Sequence, residues 1–358
     1  MLFTSEQVSP GHPDKVCDQI SDVILSDCLR NDPQSRVAVE TLIKDRHVVV
    51  AGEITSQHEP DVHELVRRVL AARQPSIRDD FDLTVHISQQ SPDIAQGVDR
   101  KGAGDQGMMF GYACSETHRM LPLPFVLATE AIQYLQQENH PELLPDAKAQ
   151  CTFDYKRHRI DTFLISTQHK EEVDMPVVQN ICRKIMLKIA DAYGLNTDYR
   201  ALVNPTGRFV TGGSFADSGV TGRKIIADTY GGAAHHGGGA FSGKDPTKVD
   251  RSAAYMARRI AKDVLRAGYA KRCEVQLAYA IGVEEPVSIL VNTFHTGRVP
   301  AGHIVKWIRK HYDLTPEGMI SFLGLRHVDY NYTSTPGHFW RQWLPWEDES
   351  TPYENKDA

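Results

Sequence analysis

Val37-Ala38-Val39-Glu40-Thr41-Leu42-Ile43, then Lys44-Asp45-Arg46-His47, then Val48-Val49-Val50-Ala51-Gly52-Glu53-Ile54: two runs rich in β-branched residues flank a polar turn. Such a pattern predicts a β-hairpin. Before it, residues 14–30 place Val16, Ile20, Val23, Ile24 and Cys28 on one face of a helix. After it, a second helix carries Val62, Leu65, Val66, Val69 and Leu70, and Leu83–Ile87 reads as a short strand.

The same order returns twice. A helix over roughly 124–138 leads to a hairpin of Cys151–Tyr155 and Ile160–Ile165, then a helix carrying Val177, Ile181, Ile185 and Ile189, then the strand Ala201–Val203. A third copy opens at Asp250 with Ala253, Ala257, Ile260, Val264 and Leu265 on one helix face. Its hairpin is Val275–Ile281 and Val287–Phe294, and a helix near 301–312 follows without a clear closing strand. Short strands near Leu2–Thr4, Met108–Tyr112 and Ile225–Ala227 precede the copies. Each unit then reads β-α-β-β-α-β, with repeats over 1–96, 97–210 and 211–358. Helices covering one face of a mixed sheet give a two-layer α/β architecture. The other face also needs cover, so packing against other units or another subunit is expected, and with it an oligomer.

Composition narrows the class. The 358 residues suit two or three domains, and the net charge of −6 speaks against general nucleic-acid binding. No run approaches the roughly 18 apolar residues of a membrane span. Met1-Leu2-Phe3-Thr4-Ser5-Glu6 lacks the regions of a signal peptide. The six cysteines are scattered without Cys-x-x-Cys spacing, which points to buried thiols and a reducing, cytoplasmic setting.

Two segments carry the strongest chemical signal. Gly11-His12-Pro13-Asp14-Lys15 and Gly237-Gly238-Gly239-Ala240-Phe241-Ser242-Gly243-Lys244-Asp245-Pro246 each bring a base, a carboxylate and pliable backbone to the start of a predicted helix. Helix N-termini attract anions, so a polyphosphate gripped from both ends is implied. His12 can donate to a phosphate oxygen and Asp14 can reach a bridging Mg²⁺; simple helix capping is the plainer reading of Asp14. Gly238 to Lys244 nearly matches a P-loop, but Asp245 stands where Ser or Thr would ligate Mg²⁺, and Ala233-Ala234-His235-His236 is a poor strand. A P-loop phosphotransferase is the alternative, and the two histidines read as solvated loop residues. Asn204-Pro205-Thr206-Gly207-Arg208-Phe209 sets an arginine and an aromatic at a turn, and Phe209 suits either base stacking or a core. Arg223 and Lys224 in a glycine-containing turn after Asp217 suit a polyanion or a solvated surface. Asp146-Ala147-Lys148 is ambiguous alone. Gln90-Ser91-Pro92-Asp93-Ile94 with Gly102-Ala103-Gly104-Asp105-Gln106-Gly107 suits a lid or an ordinary connection.

Together, Gly11–Lys15, Asn204–Phe209, Gly219–Lys224 and Gly237–Asp250 resemble the S-adenosylmethionine synthases (methionine adenosyltransferases), from about Phe3 to Gly282 closely and to Glu347 more loosely. The resemblance implies three intertwined β-α-β-β-α-β repeats with pseudo-threefold symmetry. It also implies S-adenosylmethionine synthesis from ATP and L-methionine, with hydrolysis of the tripolyphosphate formed. It assigns His12, Lys148, Arg223, Lys224 and Lys244 to catalysis on the triphosphate. Asp146, Arg208, Phe209, Asp217 and Ala240 join them around ATP. Glu53, Gln90, Asp217 and Lys248 bind methionine. Asp14 and Asp250 hold Mg²⁺, two per site, and Glu40 holds one K⁺. Gln90, Asp93 and Asp105 belong to a lid, and homodimers or homotetramers share sites between subunits. A nucleotide-binding homologue without catalysis is the competing reading; intact His12, Asp14, Lys148, Arg223, Lys244 and Asp250 argue against it. Two departures stand out: Lys101 alone joins Arg100 to Gly102, a short lid loop, and Trp340 replaces a usual glycine in the tail.

Overall fold

The computed structural model describes residues 1–89, 102–138 and 140–348. In chain order the first repeat contains β1 (Leu2–Val8), α1 (Pro13–Asn31), β2 (Arg36–Lys44), β3 (His47–Thr55), α2 (Val62–Arg73) and β4 (Asp82–Ser88). The second contains β5 (Gly107–Cys114), α3 (Leu123–Gln137), β6 (Leu143–Asp154), β7 (Arg159–His169), α4 (Met175–Ala192) and β8 (Arg200–Val203). The third contains β9 (Gly219–Val220), α5 (Ile225–Asp228), α6 (Val249–Arg266), β10 (Arg272–Tyr279), β11 (Ser288–Asn292), α7 (Ala301–His311) and α8 (Pro316–Phe322).

The hairpin β2–β3 forms as read, with Lys44 opposite His47 at its tip. Along β2, Val37, Val39, Thr41 and Ile43 are buried while Glu40 and Leu42 are exposed. Alternation therefore sets one sheet face against helices and leaves the other open. Val16, Ile20, Ile24 and Cys28 of α1 fill the covered side.

The opening strands decide how the repeats join. β1 pairs with β6, β5 with β10, and β9 with β2. Each repeat's first strand thus completes the sheet of the next, and the third completes that of the first. The sheets run β1-β6-β7-β8, β11-β10-β5 and β4-β3-β2-β9. This cyclic exchange is what intertwines the units.

One expected strand is wrong. Ile225–Ala227 lies in the helical turn α5, and the opening strand is the two-residue β9 upstream. The cause is local: Gly222 donates its N–H to Asp18 rather than to a strand, and Asp228 N–H closes a turn on the Lys224 carbonyl. The unclear closing strand of the third repeat has no counterpart among the described residues, where its sheet has three strands.

The central repeat has its own core, whereas the first and third share one with the C-terminal tail. Within that shared core α6 buries Arg251, Arg258, Arg259 and Lys262 against Asp22, Glu347, Asp263 and again Glu347. The tail is anchored accordingly. Trp346 stacks on Tyr255 with centroids 3.7 Å apart, and the Arg119 guanidinium lies 4.0 Å over the Trp340 ring. Trp340, a departure in sequence, is thus held by a cation–π contact. All six cysteines are buried and unpaired, and no described helix is long and apolar enough to cross a membrane.

Candidate active site

α1 begins inside the first glycine-histidine segment. Pro13 occupies the first turn, where no amide hydrogen is needed. The cap is His12, whose Nδ1 accepts the Asp14 N–H at 3.2 Å. Asp14 is therefore not the cap, and its carboxylate faces elsewhere: Oδ1 accepts from Val220 N–H at 2.9 Å and Oδ2 lies 2.5 Å from Lys224 Nζ. With Nδ1 as acceptor, His12 carries its hydrogen on Nε2. Burial, then the ammonium groups of Lys224 and Lys148, push His12 down to about 3, against the opposing pull of Asp14 and Asp217. His12 is thus a neutral N–H donor beside two cations.

Register brings in the strand residues. Val8 at the end of β1 opposes Lys148 of β6, and the chain continues from Val8 to His12. Asp146 of the same strand accepts from Gly213 N–H at 2.9 Å, fixing the turn that leads to Asp217. His12, Asp14, Lys148, Asp217 and Lys224 form one cluster, with Arg223 exposed at its edge.

A second cluster forms where α6 begins. Lys244 Nζ lies 2.5 Å from Asp250 Oδ2. A Cβ on Gly239 would sit 2.4 Å from the Asp250 carboxyl carbon, so a larger residue there would displace that carboxylate. A Cβ on Gly107 would stand 3.7 Å from Asp250 Oδ1, and Asp105 two residues before it accepts the Gln106 N–H at 2.7 Å. Lys248 caps α6 and pairs with Asp245 at 3.6 Å. No strand runs into the glycine segment, and α6 starts beyond Lys244, at Val249, so the P-loop alternative fails on geometry. The two clusters touch: a Cβ on Gly222 would lie 2.3 Å from that of Ala240.

Other expected residues sit differently. Arg208 Nη2 is engaged by Glu171 Oε1 at 2.6 Å, both exposed. Phe209 pairs its backbone with His169 at the end of β7. Glu40 and Glu53 project from the open face of the first sheet, opposite Ala51 and Ala38, and Ala38 also bridges to Lys244. Gln90 and Asp93 lie outside the described residues. Gly102–Ala103 is no loose loop. Ala103 exchanges backbone hydrogen bonds with Val283 and Gly282, and a Cβ on Gly102 would meet Gly282 at 2.5 Å. His235 is exposed, as expected, whereas His236 is not. His235 Nδ1 lies 2.9 Å from Glu274 Oε1, and His236 Nδ1 accepts from Gly238 N–H at 2.8 Å. Burial pushes His236 down to about 4.

Sequence reading missed the acidic face of α1. Asp14, Asp18 and Asp22 stand four residues apart, on one side of the helix. Asp18 Oδ1 accepts from Gly222 N–H at 2.8 Å, and Asp22 Oδ1 from Gly243 N–H at 3.0 Å. The signal was available: three aspartates spaced by four residues along one side of the helix, beside the apolar face of Val16, Ile20, Val23 and Ile24.

Asp14 and Asp250 offer hard oxygen donors, each flanked by a lysine. Among the described residues no three His, Cys, Asp or Glu side chains cluster as a metal cage. One carboxylate per cation, with phosphate oxygens and water as the remaining ligands, suits Mg²⁺ bound to a polyphosphate.

The family models of the S-adenosylmethionine synthetase N-terminal, central and C-terminal domains match residues 1–92, 100–209 and 211–348. An S-adenosylmethionine synthase of Staphylococcus epidermidis is 46% identical over 389 aligned residues, covering 100% of this chain and 98% of its own. One of Treponema denticola is 48% identical over 370, covering 96% and 95%. Matched by all three domain models over nearly its whole length and by full-length relatives at 46–48% identity, the chain belongs to the S-adenosylmethionine synthetase family.

Proposed function

We propose that this chain is an enzyme joining ATP and L-methionine into S-adenosylmethionine, then hydrolysing the bound tripolyphosphate to phosphate and diphosphate. The methionine sulfur attacks the ribose 5′ carbon, and the C5′–oxygen bond breaks with tripolyphosphate leaving. A neutral thioether is a weak nucleophile, so catalysis rests on alignment and on stabilising the departing polyanion. The observation that carries this reading is the neutral, N-capping His12 with Lys148 and Lys224 beside it.

His12 Nε2–H donates to the bridging oxygen as negative charge grows there. Lys148, Arg223, Lys224 and Lys244 neutralise the phosphates. Phe209 stacks on adenine beside Arg208, with Asp146 and Ala240 lining the nucleotide pocket. Asp217, Glu53, Gln90 and Lys248 hold methionine; Lys248 must first leave Asp245. Mg²⁺ on Asp14 and Asp250, two ions per site, supplies charge neutralisation of the phosphates. The K⁺ assigned to Glu40 rests on the resemblance alone, and no step runs through it.

The working unit is a homodimer or homotetramer with sites shared between copies, and the lid includes Asp93 and Asp105. Support comes from the open sheet faces, where Leu42, Met108 and Leu290 are exposed. Repeat boundaries at 96/97 and 210/211 and a cytoplasmic location complete the proposal. The test incubates purified protein with ATP, L-methionine, Mg²⁺ and K⁺ and assays S-adenosylmethionine, phosphate and diphosphate. Equimolar, methionine-dependent appearance of all three supports it; phosphate alone, or no turnover, overturns it.

A further inference from the structure

The cations of the site sit on loops, and loops need something rigid to hold them. Here that element is α1. Asp18, fully buried, takes the Gly222 N–H at 2.8 Å, immediately before Arg223 and Lys224. Its other oxygen holds Lys15 Nζ at 3.0 Å, and Lys15 is shared with buried Asp228 just after the same turn. Ser21 and Thr221 hydroxyls meet at 2.9 Å, and Thr221 Oγ1 also accepts the Thr41 N–H at 2.9 Å. The other loop is held one helical turn further on. Asp22 takes Gly243 N–H and Ser242 O–H, both at 3.0 Å, just before Lys244. Arg251 of α6 locks the same carboxylate at 2.8 Å.

We infer that Asp18 and Asp22 are positioning residues, one for each cation-bearing loop, and that α1 sets the spacing between Arg223–Lys224, Lys244 and its own cap His12. Carboxylates accepting backbone N–H groups make short, strong, directional bonds. The four-residue helical repeat then fixes the distance between the two loops as a rigid ruler. Neither aspartate touches substrate in this arrangement; each acts through the loop that it holds. The inference rests on the proposed roles of Lys224 and Lys244.

The test is a set of double-mutant cycles on kcat/KM for ATP and on tripolyphosphate hydrolysis. Asp18→Asn is combined with Lys224→Ala and with Lys244→Ala. For the second loop Ser242→Ala is used, because it cuts one bond to Asp22 without stranding buried Arg251. Asp18→Asn should couple to Lys224→Ala by fivefold or more, the usual range for residues in one network, and combine multiplicatively with Lys244→Ala. Ser242→Ala should show the opposite partnership. The methionine KM should move less than twofold, and folded protein per sample is normalised by far-ultraviolet dichroism. Thr221→Val stands in for Asp18→Asn should that variant fold poorly. Multiplicative effects in every combination, or equal coupling to both lysines, would overturn the inference. Full activity in both single lysine variants would instead overturn the site assignment beneath it.

Discussion

Lys224 Nζ lies 2.5 Å from Asp14 Oδ2, across 210 residues of chain. The pair joins the cation proposed to bind phosphate to the carboxylate proposed to bind metal, and Lys244 and Asp250 repeat the arrangement at 2.5 Å. Each charge therefore has a partner before substrate arrives. Under the proposed function, an entering metal–polyphosphate would take the ammonium onto phosphate and the carboxylate onto the cation, so that no charge would be left uncompensated in either state. An unpaired half-buried charge would cost several kcal/mol, and the exchange avoids that cost on both sides of binding.

This pairing predicts that Lys224→Ala tightens Mg²⁺ binding in the absence of nucleotide, because Asp14 no longer answers to an ammonium. The same variant should raise the KM for ATP about tenfold or more, the loss of one charge-assisted contact. Calorimetric Mg²⁺ titration is the check; unchanged affinity would remove Asp14 from the metal site.

His12→Asn should lower kcat by about a hundredfold or more while the KM for ATP changes little, since the donor matters most as the leaving oxygen gains charge. Because His12 is held near 3, it contributes no limb between pH 6 and 7 to the kcat/KM profile. A limb there that disappears in His12→Asn would contradict the neutral-donor role.

The Glu347 carboxylate pairs with both Arg258, at 2.6 Å, and Lys262, at 3.0 Å, in a buried setting. Removing it breaks both buried ion pairs. Glu347→Ala should cost about 3–5 kcal/mol, read by denaturant unfolding, and a loss below 1 kcal/mol would show that the tail is dispensable to the core.

His338 is buried, and desolvation followed by the charges of Arg251 and Lys15 and by His236 holds it well below its usual range. The folded state keeps it neutral while the unfolded chain binds a proton below about pH 6.5, so stability is lost as pH falls. Each such group contributes a slope of about 1.4 kcal/mol per pH unit. His338→Asn should flatten the stability curve between pH 6 and 5 by that amount; an unchanged slope would place the proton elsewhere.

Leu290, 58% exposed on the open face of β11, tests the shared-site proposal. Leu290→Glu should shift the protein toward monomer in sedimentation and reduce turnover in step. Full turnover from a monomer would contradict shared sites.

Periodicity revealed the hairpins and the long helices, because a half-buried strand and an amphipathic helix write their burial into local spacing. It failed at Ile225–Ala227, where three apolar residues read as strand but the turn around them is closed by Gly222 N–H donating to Asp18 and Asp228 N–H donating to the Lys224 carbonyl. The two glycine-rich segments were legible because glycine, lysine and aspartate at a helix start have few other uses. Asp18 and Asp22 were overlooked because nothing in α1 itself says which loops will lie against it.

By itself, then, the sequence determined the elements, their threefold recurrence and the chemical types at both helix starts, since these depend on residues near one another in the chain. Only the tertiary structure decided that each opening strand joins the following repeat's sheet, that His12 rather than Asp14 caps α1, and that Asp14 faces Lys224. Those outcomes turn on which backbone groups and charges meet across hundreds of residues, and pairing at that range is set by the packing of the whole molecule.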